Sequence, residues 1–385
     1  MNFWSKFLPS YSVRSENSRM DWVLFIATLP IVSAGLVTMN SFAEGPSYFE
    51  RQIIWVCIAI ALFFVVSHAD FRFMRKTWVS VTLFIGSCVV LGLLFGLGTV
   101  AKGARSWFDL GLFSFQPSDL VKLALIILLA KYFSRRHIEI ANIRHILVSG
   151  VYAGIISLLV LVQPDFGSSI ILFLIWFGMV LVSGLSKKHV ALVFVAGMIT
   201  FAGLWNFGFQ EYQKNRIRNF INPLADIHGS GYNAFQAMIA VGSGQVTGKG
   251  IGFGTQSRLK FLPEYQTDFI FAAYAEEWGF IGVLIVFISY ITLIWRILLN
   301  ALRGATNFEI LFGCGIAILF LSHFIINVGM NIGLLPVTGI VLPLMSYGGT
   351  HMLMEYTALG MVVAMRRYSR VAHKDVTKNE FLGPQ

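Results

Sequence analysis

Trp22-Val-Leu-Phe-Ile-Ala-Thr-Leu-Pro-Ile-Val-Ser-Ala-Gly-Leu-Val-Thr-Met-Asn-Ser41 is a run of twenty residues without one charged side chain. About 20 apolar residues in a helix cross a ~30 Å hydrocarbon core, so the run reads as a membrane span. It is too long for the apolar region of a secretory signal, and many similar runs follow it. The same length criterion places ten spans, at 22–42, 52–68, 78–100, 119–134, 145–163, 167–185, 189–209, 269–298, 310–333 and 352–367. The composition agrees: of 385 residues 56% are apolar and only 12% charged, with 35 Phe and 36 Gly. Soluble domains carry about 25% charged residues. A soluble enzyme, a disordered chain and a disulfide scaffold are excluded, and the expected fold is an all-α polytopic membrane protein. Cys57, Cys88 and Cys314 all lie inside apolar runs and give no disulfide or metal spacing.

The net charge of +10 would suggest nucleic acid in a soluble domain, but here the basic residues sit between spans. Short cytoplasmic loops accumulate Lys and Arg. With the N-terminus inside, the inner segments carry nineteen of them, and the short outer loops carry only Arg51, Lys102 and Arg105. Both termini are therefore expected in the cytoplasm, with no nucleic-acid partner. Residues 1–21 form the N-terminal tail, 22–367 one ten-helix membrane domain and 368–385 the C-terminal tail, with disorder expected only in the tails. A long extracytoplasmic loop, 210–267, joins spans seven and eight. It is basic and rich in Tyr, Phe, Ile and Leu, so it is expected to be ordered.

Ionisable residues near membrane depth are costly and so are functional candidates. Arg51 opens span two, and Arg105 and Trp107 precede span four. Asp119 and Lys122 stand three apart on one helical face, either as a local ion pair or as part of a site. Asp165, in Gln163-Pro-Asp-Phe-Gly167, is a turn cap or a functional carboxylate. Asp268 follows the long loop, and the pair Glu276–Glu277, two turns later, suits a structural role. Ser322, His323, Asn327 and Asn331 form a polar stripe on span nine, for interhelical hydrogen bonding or the lining of a cavity. The glycine-rich stretch 242–254 is not a phosphate loop, because Gly250 rather than Ser or Thr follows Lys249.

Four segments together resemble one family. They are Gly103-Ala-Arg-Ser-Trp107 with Ser114-Phe-Gln-Pro-Ser-Asp119-Leu-Val-Lys122; Gln163-Pro-Asp-Phe-Gly167; Gly248-Lys-Gly-Ile-Gly-Phe-Gly-Thr255-Gln-Ser257 through Phe261-Leu-Pro-Glu264 and Thr267-Asp268; and Gly333-Leu-Leu-Pro336-Val-Thr-Gly339 with Ser346-Tyr-Gly-Gly349. The chain resembles the SEDS family (shape, elongation, division and sporulation) over nearly its whole length, and Gly254-Thr-Gln-Ser257 resembles the rod-shape branch. Two positions depart from the family pattern: Asp119 stands where Glu is usual, and Gln266 where His is common.

The resemblance implies a peptidoglycan glycosyltransferase of the inner membrane that polymerises lipid II at the outer face during cell elongation. It implies Asp268 as general base on the acceptor hydroxyl. Arg51, Arg105, Trp107, Gln116, Asp119, Lys122, Asp165, Gln256, Glu264, Thr267 and Ser346 are then expected to bind substrate. The leaving group is a diphosphate, which needs positive charge rather than a second carboxylic acid. A divalent cation, Mg or Mn, is the expected cofactor. The expected partners are membrane lipids, a class B penicillin-binding protein and other elongation-complex proteins. Two other classes share some of these features: a lipid-precursor flippase and a scaffold for the transpeptidase. The flippase reading calls for charges at mid-membrane, whereas these cluster towards one face.

Overall fold

A computed structural model describes residues 20–41, 48–101, 104–109, 111, 114–134, 143–184, 187–222, 230–259, 261–262 and 264–379. Most of the N-terminal tail and residues 380–385 lie outside the described residues, as do Lys102, Asp226 and Lys260.

Ten long helices occupy the ten expected spans: α1 (Trp22–Ser41), α2 (Tyr48–His68), α3 (Thr77–Leu97), α4 (Pro117–Ser134), α5 (Ile143–Val162), α6 (Phe166–Val182), α7 (Lys187–Gly203), then α11 (Ile270–Leu302), α12 (Asn307–Asn331) and α13 (Gly349–Asn379). Seven of them, α1, α2, α3, α5, α11, α12 and α7 counted with the helical turn that continues it to Gly208, are long and apolar enough to cross a membrane. The other three depart for a physical reason. α6 has only 17 residues, and α4 and α13 carry charges that they bury against protein rather than lipid. α4 is buried on nearly every face and packs on α3, α6 and α12. The chain is thus an all-α polytopic membrane protein.

The outward faces are apolar, because the surrounding solvent is lipid. On α11, Leu284, Ile288, Ile291 and Trp295 recur at helical spacing and are all exposed. Inside, α1 packs on α11 and α2 on α13; the Phe63 ring of α2 meets Tyr356 of α13 and stacks on Phe25 of α1. α13 continues to Asn379, twelve residues past the expected end of its span, so that part of the tail is helical.

The segment between α7 and α11 is ordered over its described part. A π-helical turn, Leu204–Gly208, leads into α8 (Glu211–Ile221), α9 (Ser230–Ser243) and the single turn α10 (Thr255–Arg258). The all-α expectation omits one feature, a three-stranded antiparallel sheet between α3 and α4. Its strands are β1 (Thr99–Ala101), β2 (Ala104–Asp109) and β3 (Ser114–Phe115), in the order β1-β2-β3. Strands of three, six and two residues are too short to show a period-two pattern.

Candidate active site

Asp268 lies in the turn that delivers the chain into α11. Within this turn Thr267 N and Phe269 N donate to Glu264 O at 3.1 and 3.2 Å, and Thr267 Oγ1 donates to Glu264 Oε2 at 2.9 Å. Glu264 has a φ of +53°, which a side-chain-bearing residue adopts only when its surroundings impose it.

Two clamps fix the main chain around the carboxylate. Asn327 and Asn331, one turn apart on α12, donate from Nδ2 to Asp268 O at 3.0 and 3.2 Å. Asn331 Oδ1 also accepts from Ala272 N at 3.3 Å, one of the first-turn N–H groups that α11 cannot satisfy itself. From the other side, Ser346 Oγ donates to Thr267 O at 2.7 Å while accepting from Leu342 N at 2.8 Å. Tyr347 N donates to Gln266 O at 2.8 Å. The half-buried Asp268 carboxylate faces Gly339, where a Cβ would stand 3.7 Å from Oδ2.

The polar stripe on α12 does the expected job only in part. Asn331 makes one interhelical bond of the expected kind, to Ala272 N of α11, and the stripe otherwise holds main-chain groups of the neighbouring turns. Asn327 Nδ2 also donates to Ile340 O at 2.7 Å, and His323 Nδ1 lies 3.2 Å from Val341 O. Asn327 and Asn331 thereby join the candidate site residues. Their spacing of four was visible, but not the backbone that passes in front of them.

Other expected site residues fall into separate groups. Asp165 caps α6, accepting from Ser168 N at 3.0 Å, and Gln116 Nε2 donates to its other oxygen at 3.3 Å. Gly167 brings this turn against Thr338, where a Cβ would be 2.8 Å from Thr338 O; Arg216 Nη1 of α8 donates to that same oxygen at 2.9 Å. Gln116 and Asp165 thus border the segment that faces Asp268. Asp119 and Lys122 form a buried pair at 3.0 Å, engaged with His351 at 3.3 Å rather than with Asp268. Arg51 is exposed on α2 beside Gln52, whose side-chain amide bridges Ser346 O and Gly348 N, both at 3.2 Å. Arg105 and Trp107 lie on β2.

Gln256 belongs to another cluster. Its N–H donates to Glu276, a buried carboxylate that also accepts from Lys249 Nζ at 2.7 Å and Thr255 Oγ1 at 3.0 Å. Glu277 accepts from Gly252 N at 2.6 Å. The glutamate pair thus pins the glycine-rich segment onto α11, the structural role expected of it. No group of three or more His, Cys, Asp or Glu side chains placed to hold a metal is present among the described residues.

Ten long helices with apolar outward faces, enclosing a clamped and half-open carboxylate, define a polytopic membrane protein with an enzyme-like site at one end of the bundle. The chain belongs to the cell cycle protein family of FtsW, RodA and SpoVE, whose model matches residues 19–371. It is 35% identical over 356 residues to the peptidoglycan glycosyltransferase MrdB of Escherichia coli K12, covering 92% of this chain and 95% of the relative. Stage V sporulation protein E of Bacillus subtilis is 35% identical over 373 residues, covering 92% and 99%.

Among solved structures, a chain from work on the structural coordination of polymerization and crosslinking by a peptidoglycan synthase complex superposes with a TM-score of 0.78. It shares 29% identity, covering 91% of this chain and 98% of that one. The rod shape determining protein RodA of Thermus thermophilus, solved also as an Asp-to-Ala mutant, gives a TM-score of 0.68 at 28% identity, covering 90% and 96%.

Proposed function

We propose that this protein is a peptidoglycan glycosyltransferase of the inner membrane that polymerises lipid II at the outer face, for cell elongation and rod shape. The names of its relatives support the activity, and the likeness to RodA and MrdB supports the elongation role. Charge supports the orientation of this reading. Lys131, Arg75, Arg296 and Arg366 gather at the end opposite Asp268, as the excess of basic residues on the cytoplasmic side requires. Both termini then lie inside and Asp268 outside.

The observation that carries the reading is the immobilised Asp268 turn. Main-chain clamps on both sides leave the carboxylate half open, the arrangement a general base needs to meet a substrate hydroxyl without reorganising. In the step, the acceptor sugar hydroxyl attacks the anomeric carbon of the donor and its proton passes to Asp268. The new C–O bond forms as the bond from that carbon to the lipid diphosphate breaks, and the diphosphate leaves as an anion. It needs no protonation, only positive charge nearby. Lys122 is committed to Asp119, so this role falls to Arg51 and Arg105. Gln116, Asp165, Glu264, Thr267 and Ser346 then surround the substrate or hold the loops that do. A divalent cation of the Mg or Mn class would arrive on the substrate diphosphate, since the described residues supply no ligand set of their own. A class B penicillin-binding protein is the proposed partner, supported by the likeness to a chain of a peptidoglycan synthase complex.

The test is a gel assay for glycan strands from purified protein and lipid II, with and without the transpeptidase. Wild type should make a ladder, and Asp268→Asn should lose about 10²–10⁴-fold in rate while still binding lipid II. A wild-type rate in the Asn variant removes Asp268 from the mechanism. Lipid movement across vesicles without polymer would favour a flippase, and partner binding without polymer a scaffold.

A further inference from the structure

Behind the Ser346 clamp lies a buried charged chain that the reaction as written does not use. Leu344, in the turn that carries Ser346, has a φ of +60°, a conformation that strains any residue with a Cβ and especially a bulky one. Such strain persists only where neighbours over-determine it. The neighbour here is Glu355 of α13, whose Oε2 accepts from Leu344 N at 2.8 Å. Glu355 Oε1 stands 2.8 Å from His351 Nε2, and the opposite ring nitrogen of His351 lies 3.3 Å from Asp119 Oδ1, itself paired with Lys122. All four residues are buried, at 2 to 6% exposure, so each side chain depends on the next for its counter-charge. His351 and Glu355 are four residues apart and face the same way from α13. They connect the core helix α4 to the strained turn, and Ser346 in that turn holds Thr267 O, one residue from Asp268.

We propose that His351 and Glu355 are positioning residues for glycosyl transfer. They lock the Leu344 turn in its strained form, so that Ser346 presents the Asp268 turn at a fixed place. The proposal rests on Asp268 being the base. His351 also fits the shorter reach of Asp119: the imidazole closes the distance between that carboxylate and Glu355.

The experiment compares Glu355→Leu, which removes both contacts of the carboxylate, with Glu355→Gln, which keeps an acceptor for Leu344 N and loses only the charge. Both are measured in the full chain, with rates per folded, monodisperse protein and lipid II as substrate. Glu355→Leu should lower kcat between about tenfold and a hundredfold, the scale of a small displacement of a reacting group, with KM for lipid II unchanged. Glu355→Gln should recover part of that loss. The Glu355→Leu and Ser346→Ala losses should be strongly non-additive, because both act through one turn. An unchanged kcat, an additive double variant, or a loss that follows only the folded fraction would overturn the proposal. If Asp268→Asn is inactive while both Glu355 variants keep full kcat, this inference fails alone. If Asp268→Asn is active, the base assignment fails first.

Discussion

Asn331 joins the start of α11 to the Asp268 turn through one side chain. Its Oδ1 satisfies Ala272 N at the start of α11, and its Nδ2 donates to Asp268 O and to Asn327 O. Asn331→Leu keeps the approximate volume and removes every one of these bonds. The buried Ala272 N–H then has lost its side-chain acceptor, at a cost of about 1–3 kcal/mol. The expected result is a lower melting temperature in detergent, together with a fall in polymer formation larger than the loss of folded protein. An equal fall in both would make Asn331 purely structural. Asp268, Thr267 and Ser346 are legible in the sequence through their motifs. What holds them is not, because a spacing of four on α12 marks a shared face without showing which main-chain oxygens meet it.

At the level of elements, the decisive contact is between the glycine-rich segment and the kink in α11. Gly279 has a φ of +61°, and there the helical ladder breaks. The segment repairs it from both sides. Lys249 N and Gly250 N donate to Glu276 O and Glu277 O, each at 3.0 Å, while Gln245 O and Val246 O accept from Phe280 N and Ile281 N at 2.9 and 3.1 Å. A buried main chain must find partners, and here a loop supplies what the helix cannot. A Cβ on Gly279 would fall 2.2 Å from Gly248 N, a collision with backbone that no rotamer relieves. Gly279→Ala should therefore cost at least ~3 kcal/mol and yield little monodisperse protein by size-exclusion chromatography. Gly242→Ala, with nothing within 4 Å of the added carbon on α9, should be neutral or stabilising by up to ~1 kcal/mol. Equal yields from the two variants would contradict this docking. Seven of the ten long helices are legible because each apolar run is long enough to read alone, and α4, α6 and α13 are legible through shorter apolar runs. The kink and the three-stranded sheet are not, since they arise from pairing between separate segments.

Across the whole molecule, one aspartate ties α1, α11 and α13 together at the end of the bundle opposite Asp268. Asp21, just before α1, accepts from Arg296 Nη2 at 2.6 Å, Asn300 Nδ2 at 2.8 Å and Arg366 Nη1 at 3.2 Å, and from Leu24 N at 3.1 Å. These partners lie 275, 279 and 345 residues away for the side chains, so no local pattern announces them, although the excess of basic residues at this end is legible. Burial alone would push the Asp21 pKa up. Donation from Arg296, Asn300 and Leu24 N outweighs burial and holds it below the ordinary value of about 3.8. A carboxylate depressed in the folded state stabilises fully above its unfolded pKa, and that stabilisation is lost as pH falls through the folded value. Asp21→Asn leaves two guanidinium groups facing an uncharged amide, at a cost of about 3 kcal/mol. The wild-type advantage in melting temperature over this variant should stay constant between about pH 5 and 8 and shrink as pH falls below about 4. An advantage that grows in acid, or none at neutral pH, would show that α1, α11 and α13 are held together by apolar packing rather than by this ion cluster.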